Sequence, residues 1–397
     1  MNFLAEAEKL LPETTALRRK LHQHPELAFR EHQTSRLVAE ELTRLGFEVA
    51  TGVGGTGVSG LLRGRSPSPL IMLRFDMDAL PIQEETGAEY ASRNPGVMHA
   101  CGHDAHTAIG ITTARLLVSC REEWDASFLL VFQPAEEIGQ GAMAMLNDGL
   151  FSSRKPDFAL GVHVWSSLPS GTFVINPGAL MAGSGTFELT ITGKGGHAAL
   201  PHQAIDPIAA GARIVTALQS IAAQNVNPLE AAVVSVTMFH AGTASNIIPE
   251  QAELQGTIRF FSRAMWNLLC ERLTRIVLDT ASASGCTAEI KLLESTPPLV
   301  NDAFAANAAQ TALKEILPGA SLLTDYRTMG SEDMALFLEQ VPGAFIFVGS
   351  GGAGNHSAYP HHHPCFDIDE NVLASASALL LQTAYELQHT AATEKAP

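Results

Sequence analysis

The chain reads as α/β: a doubly wound, mostly parallel sheet flanked by helices, with a smaller α+β block inserted into it. Three observations predict this. Residues 70–75 (Arg74 apart), 128–132, 158–162 and 344–348 are continuously apolar, as strands covered on both faces must be. The first three runs lead straight into residues with ligand or acid–base chemistry: Asp76 and Asp78, Glu136 and Glu137, and His163. Open α/β sheets carry their sites beyond the carboxyl ends of the strands. Near Met181 the pattern then changes to the alternation of half-buried strands, as in residues 187–192.

In chain order, Leu17, Leu21, Leu37, Val38, Leu42 and Leu45 recur at helical spacing. His24-Pro25 divides them into two helices and Gly46 ends the second. Short strands follow at 47–50 and 57–62. The inserted block reads as a strand at 187–192, a helix at 207–223, strands at 232–239 and 252–260, and a helix at 264–284. Pro297-Pro298 marks its exit. The expected boundaries are 1–181 with 298–397 for the larger, discontinuous domain and 182–297 for the insert.

At 397 residues the chain can bury two or three cores. A net charge of −16 argues against nucleic acid as a partner. The five cysteines are odd in number and scattered, which fits a reducing compartment rather than a disulfide framework. The first residues carry acids where a signal peptide needs bases, and no apolar run is long enough to span a bilayer. A cytoplasmic protein without a membrane partner is the expectation. Gly52 to Gly57 matches G-x-G-x-x-G, but the glycine-broken stretch after it cannot supply the helix a dinucleotide needs, so it reads as a turn into a strand.

Two islands carry the chemistry. His99-Ala100-Cys101-Gly102-His103-Asp104, with His106 beside it, packs a thiol and several imidazoles together. Gln133-Pro134-Ala135-Glu136-Glu137 sets two carboxylates side by side. With His163 these residues offer soft, borderline and hard donors for a divalent cation, and Cys101 as a thiolate could bridge two. One glutamate can ligate while the other takes a proton from an activated water, which suits metal-assisted hydrolysis. Asp76 and Asp78 read either as ordinary acids at a strand end or as groups that hold a ligand imidazole in one tautomer, the role given to Asp78. The run Gly193-Lys194-Gly195-Gly196-His197 exposes a histidine at a tight turn; from spacing alone it is equally a plain surface residue. Near the end, a glycine-rich loop containing His356 leads to His361-His362-His363.

As a set these residues resemble the M20 metallopeptidase family, in the amidohydrolase branch that includes hippurate and auxin-conjugate hydrolases. The shared stretches are Leu21 to Leu27, Asp76-Met77-Asp78-Ala79-Leu80-Pro81, Met98 to Asp104 and Phe132 to Glu137. They continue through Gly196 to His202, Gly242 to Pro249, Gly256-Thr257-Ile258-Arg259, Gly330-Ser331-Glu332-Asp333 and the final His-x-Pro. The resemblance implies two divalent ions, zinc, manganese or cobalt, held by Cys101, His103, Glu137, His163 and His362. His362 is chosen over His361 and His363 because His362-His363-Pro364-Cys365-Phe366-Asp367 fits the family pattern. The resemblance further implies Glu136 as general base and the insert as a lid that also makes a homodimer or higher homo-oligomer. His197 would reach a partner subunit's oxyanion, and Asn246 and Arg259 would grip a substrate carboxylate. The expected reaction is hydrolysis of small N-acyl amino acids. The alternatives are a dipeptidase, an N-acetyl-amino-acid deacetylase, or a silent protein that binds acylated amino acids.

Overall fold

The computed structural model describes residues 2–352 and 359–394. The chain divides into two compact units. The larger comprises Met1–Leu180, Val300–Tyr326 and Asp333–Pro397; the smaller comprises Met181–Leu299 and Arg327–Glu332. The sequence reading left residues 327–332 with the larger domain. They fall in the smaller unit because the Ala182 N–H donates to the carbonyls of Thr328 (3.1 Å) and Gly330 (3.0 Å).

In the larger unit, helices α1 (Phe3–His22) and α2 (His32–Arg44) precede strands β1 (Glu48–Val53), β2 (Gly57–Leu62) and β3 (Leu70–Asp76). Then come α3 (His103–Ser119), β4 (Ser127–Gln133), α4 (Gly141–Asn147) and β5 (Phe158–Pro169). The eight-stranded sheet runs β1, β2, β4, β3, β5, then Gly343–Gly351, Thr172–Val174 and Ser321–Leu323. Its four central strands, β4, β3, β5 and Gly343–Gly351, are mutually parallel. The Gly52–Gly57 run spans the end of β1, the turn at 54–56 and the start of β2, an antiparallel pair, so a strand and not a helix follows the turn.

Strand alternation sorts the side chains of this sheet. Phe75 and Phe132 face α3, whose Gly110 lies so close that a Cβ there would sit 2.7 Å from either ring. Nearly every α3 residue from His103 to Leu117 is buried, the polar first turn His103, Asp104, His106 and Thr107 included. Val372–Glu394 packs against α1, α3 and the helix Ala303–Ile316. On the opposite face the sheet carries Arg74, Asp76 and Gln133, all fully buried. The short helix Met334–Leu338 covers this side: a Cβ on Gly161 would meet Phe345 and Met334. The Asp333 carboxylate, at the start of that helix, accepts from Arg74 (3.1 Å), Gln133 (2.6 Å) and the Ala142 N–H (2.9 Å).

The smaller unit is a four-stranded antiparallel sheet in the order Val233–Ala241, Gln251–Phe260, Gly183–Thr192, Thr287–Thr296. Two helices, Pro207–Leu218 and Arg263–Ala283, close a core that includes Phe187, Leu189, Ile214, Leu254 and Leu273. The strand Thr287–Thr296 and the helices Ala303–Ile316 and Val372–Glu394 go beyond the elements expected from the sequence. Among the described residues no helix is long and apolar enough to cross a membrane. None of the five cysteines is in a disulfide.

Candidate metal centre

Three chain reversals bring the ligands together in the larger unit. Gly102 stands before α3 at φ 92°, a left-handed conformation that glycine adopts without strain. Any Cβ there would also meet Val164 Cγ2 at 2.4 Å. This tight approach sets Cys101 and His103 beside His163, whose ring follows from β5. After β4, Ala135 turns at φ 54° and delivers Glu136 and Glu137. His362, at φ 65°, is tied by its N–H to the Ala100 carbonyl (2.8 Å), next to Cys101.

Five groups of possible donors result among the described residues, and two of them share the thiol. Cys101, His103 and His163 form one; Cys101, Glu137 and His362 form the other, with candidate ligand atoms within 4.8 Å of each other in each set. His163 Nε2 lies 3.6 Å from Cys101 Sγ, and His362 Nε2 lies 3.3 Å from Glu137 Oε2. Of the final histidines, His362 is the one in this cluster. The His361 ring is turned to the Val164 carbonyl (Nε2, 3.0 Å) and lies against Trp165, while His363 stacks on Tyr359 at 4.4 Å. His356 lies outside the described residues.

The imidazoles are fixed as neutral ligands need to be. His163 Nδ1–H donates to the Val164 carbonyl (2.6 Å), leaving Nε2 toward Cys101. His103 Nδ1–H donates to the Asp78 carbonyl (2.9 Å), so Nε2 points into the cluster. The sequence reading expected Asp78 to hold an imidazole. It does so chiefly through its backbone, with its carboxylate Oδ1 farther off at 3.4 Å. The carboxylate itself accepts the backbone N–H groups of Glu136 (3.0 Å) and Glu137 (3.1 Å). Asp76 serves a different neighbour: its Oδ1 accepts from His106 Nδ1 (2.6 Å), and its Oδ2 from Arg74 (2.7 Å). His106 Nε2 accepts the Val164 N–H (2.9 Å), so both its nitrogens are spoken for.

The cluster calls for positive charge. His103 Nε2 and Glu137 Oε1 are buried 3.9 Å apart, and neither makes a hydrogen bond among the described residues. Burial lifts the Glu137 carboxyl to about 7, a rise that the nearby Asp78 and Asp76 reinforce. Burial alone would lower His103; the Asp76, Asp78 and Glu137 carboxylates outweigh it and push the ring up to about 10. His163, buried beside His106 and His361, is held well below the usual histidine range. Carboxylates that reward a cation at His103 Nε2, next to a thiol and a neutral His163, fit divalent metal ions.

The remaining candidates lie in the smaller unit. His197 and Asn246 share the ribbon of Gly196–His197 and Ile247–Ile248, where the Ala198 N–H donates to the Asn246 carbonyl (3.0 Å). The exposed His197 accepts the Ala199 N–H on Nδ1 (3.1 Å), which leaves Nε2 as a donor. Half-buried Arg259 donates to the Thr257 hydroxyl (2.5 Å) and the Ile258 carbonyl (3.1 Å). Sequence reasoning passed over Arg74, Gln133 and Glu31. No local spacing marks them, although buried charged residues on or next to core strands require partners and so announce a network.

Known proteins resemble this chain over most of its length. Residues 72–386 match the model of peptidase family M20/M25/M40. An N-acetylcysteine deacetylase of Bacillus subtilis is 40% identical over 93% of this chain and 95% of its own length. Thermostable carboxypeptidase 1 of Saccharolobus solfataricus is 40% identical over 92% and 93%. The crystal structure of the Bacillus subtilis YXEP protein, described as a dinuclear metal-binding peptidase of the M20 family, superposes with a TM-score of 0.85 at 36% identity. That match covers 96% of this chain and 99% of the other. The chain belongs to the M20 metallopeptidase family, as a metal-dependent amidohydrolase.

Proposed function

We propose that the protein hydrolyses the amide between an acyl group and an amino acid with a free carboxylate, using two divalent ions held by Cys101, His103, Glu137, His163 and His362. The observation that carries this reading is Glu136, a carboxylate 3.9 Å from His103 Nε2 and held by its backbone to Asp78, beside the two donor sets that share the Cys101 thiol but a member of neither. When bound, the ions lower the pKa of water and polarise the substrate carbonyl. Glu136 takes the proton from the attacking water and returns it to the leaving nitrogen. His197, through its free Nε2–H, stabilises the oxyanion, and Arg259 and Asn246 receive the substrate carboxylate.

His197 acts on the site of a partner subunit in this reading. Self-association through the smaller unit is supported by its edge strand Val233–Ala241, which leaves Met238 (43%) and Phe239 (38%) exposed. A second reading, removal of an N-acetyl group, is favoured by the relative named a deacetylase. A panel of N-benzoyl, N-acetyl and dipeptide substrates on metal-reconstituted protein, with released amino acid quantified, separates the two. Turnover of the N-benzoyl series supports the broader reading and turnover of N-acetyl substrates alone the second; turnover of dipeptides alone rejects both. Glu136→Gln should lower kcat by roughly 10²–10⁴ with metal content unchanged. Wild-type turnover in that variant refutes the base assignment, and saturable binding without turnover in the intact protein makes it a binder.

A further inference from the structure

Glu31 takes no part in the chemistry above, yet it is fully buried at the start of α2. Its Oε1 accepts the backbone N–H of Phe29 (3.0 Å) and of Ala135 (2.9 Å), and its Oε2 accepts the Thr56 hydroxyl. Among the described residues, three that are not glycine have positive φ: Phe29 (59°), Ala135 (54°) and His362 (65°). Side chains enter this region only where the surroundings compel them, and such residues cluster at functional sites. One oxygen thus ties down two of the three, and one of those two directly precedes Glu136. The next two amides, Glu136 and Glu137, end on Asp78. Backbone N–H groups 135 to 137 are therefore all held by two buried carboxylates, which fix the direction in which the Glu136 and Glu137 side chains leave the chain.

We propose that Glu31 is a positioning residue for proton transfer: it holds Ala135 in the left-handed conformation that aims Glu136 at the reacting atoms. The inference rests on Glu136 being the general base. A carboxylate suits the task because one charged oxygen accepts two N–H groups strongly, in a place where no water competes. Glycine at 135 would reach the same φ freely but would also leave it freely. Alanine held by Glu31 gives a loop with one shape. Misplacement of a catalytic group by about 1 Å can cost on the order of 10² in rate, so a small relaxation here is visible in turnover.

The test compares Glu31→Leu, Glu31→Gln, the double variant Glu31→Leu/Ala135→Gly, and Ala135→Val, with kcat, KM and bound metal measured for each. Glu31→Leu should lower kcat by roughly tenfold or more. Its KM should stay within about threefold and its metal content should not change, as expected when only the catalytic step suffers. Glu31→Gln should keep most of the rate, because its amide oxygen still accepts both N–H groups while its NH₂ turns to Thr56. Ala135→Gly, added to Glu31→Leu, should recover most of the loss because glycine carries no left-handed strain. Ala135→Val should reproduce the loss with Glu31 intact, which keeps the test alive if Glu31→Leu does not fold. Wild-type kcat in Glu31→Leu or Ala135→Val, equal losses in the Gln and Leu variants, or no recovery with glycine each overturns the proposal. Glu136→Gln, assayed alongside, separates the two readings: full turnover there removes the base, and the positioning role with it.

Discussion

Asp78 shows how much one buried side chain can organise. It grips the amides of both glutamates with its carboxylate and the His103 imidazole with its carbonyl. Asp78→Asn keeps the carbonyl but replaces one acceptor oxygen by a donor, which faces an N–H it cannot satisfy. Groups that orient metal ligands typically contribute 10–100-fold to affinity, so metal binding in this variant should weaken by about that factor. Calorimetric titration of apo-protein checks it; wild-type affinity would mean the backbone holds the glutamates without help. Cys101 was legible as a candidate ligand from its neighbours in the sequence. The detailed role of Asp78 was not, because which atom of a side chain or backbone makes a contact is settled only by the turn after β4.

At the scale of elements, the sheet supplies both the ligands and their support. Alternation along β3 and β4 puts Arg74, Asp76 and Gln133 on one buried face, where Asp333 meets Arg74 and Gln133. The Arg74 guanidinium lies 2.7 Å from Asp76 and 3.1 Å from Asp333, all three side chains fully buried. Removing one partner of a buried ion pair strands the other, at a cost of about 3–5 kcal/mol. Arg74→Met should therefore lower unfolding stability by that amount in denaturant titration. A loss below ~1 kcal/mol would show that Asp76 and Asp333 find other partners. Gly102→Ala places a Cβ 2.4 Å from Val164 Cγ2 at a positive φ, and should weaken metal binding while leaving the smaller unit's fold intact, as metal titration and circular dichroism would report.

The strands that carry ligands were visible because continuous apolar runs end in charged residues. The helix Ala303–Ile316 and the strand Thr287–Thr296 were not read from the chain. The helix is rich in small alanines that blur its apolar face, and the strand pairs Glu, Lys and Thr with modest hydrophobes on a half-open sheet. Roles for His197, Asn246 and Arg259 come only from the family resemblance: a glycine-rich turn marks His197 as exposed without giving it a task, and Arg259 is half-buried within the strand Gln251–Phe260 like any other strand residue.

The whole molecule divides the proposed reaction between its units: metal donors and base in the larger, oxyanion and carboxylate contacts in the smaller. If His197 serves a partner's site, mixing Glu136→Gln protomers with His197→Ala protomers should restore activity that neither has alone. One site of each hybrid dimer then has an intact base and an intact histidine. No recovery after demonstrated subunit exchange would place His197 in the site of its own chain. Bound metal should also stabilise the fold, because the donor sets exist only when folded; each site at 100 times its dissociation constant adds about 2.7 kcal/mol.

The arrangement of Cys101 between two donor sets is tested most directly by anomalous diffraction at the absorption edge of the bound metal. Two peaks about 3.5–4 Å apart are predicted. Cys101 Sγ should lie between them, with His103 and His163 on one peak and Glu137 and His362 on the other. A single peak, or two peaks that do not share the thiol, would contradict the account.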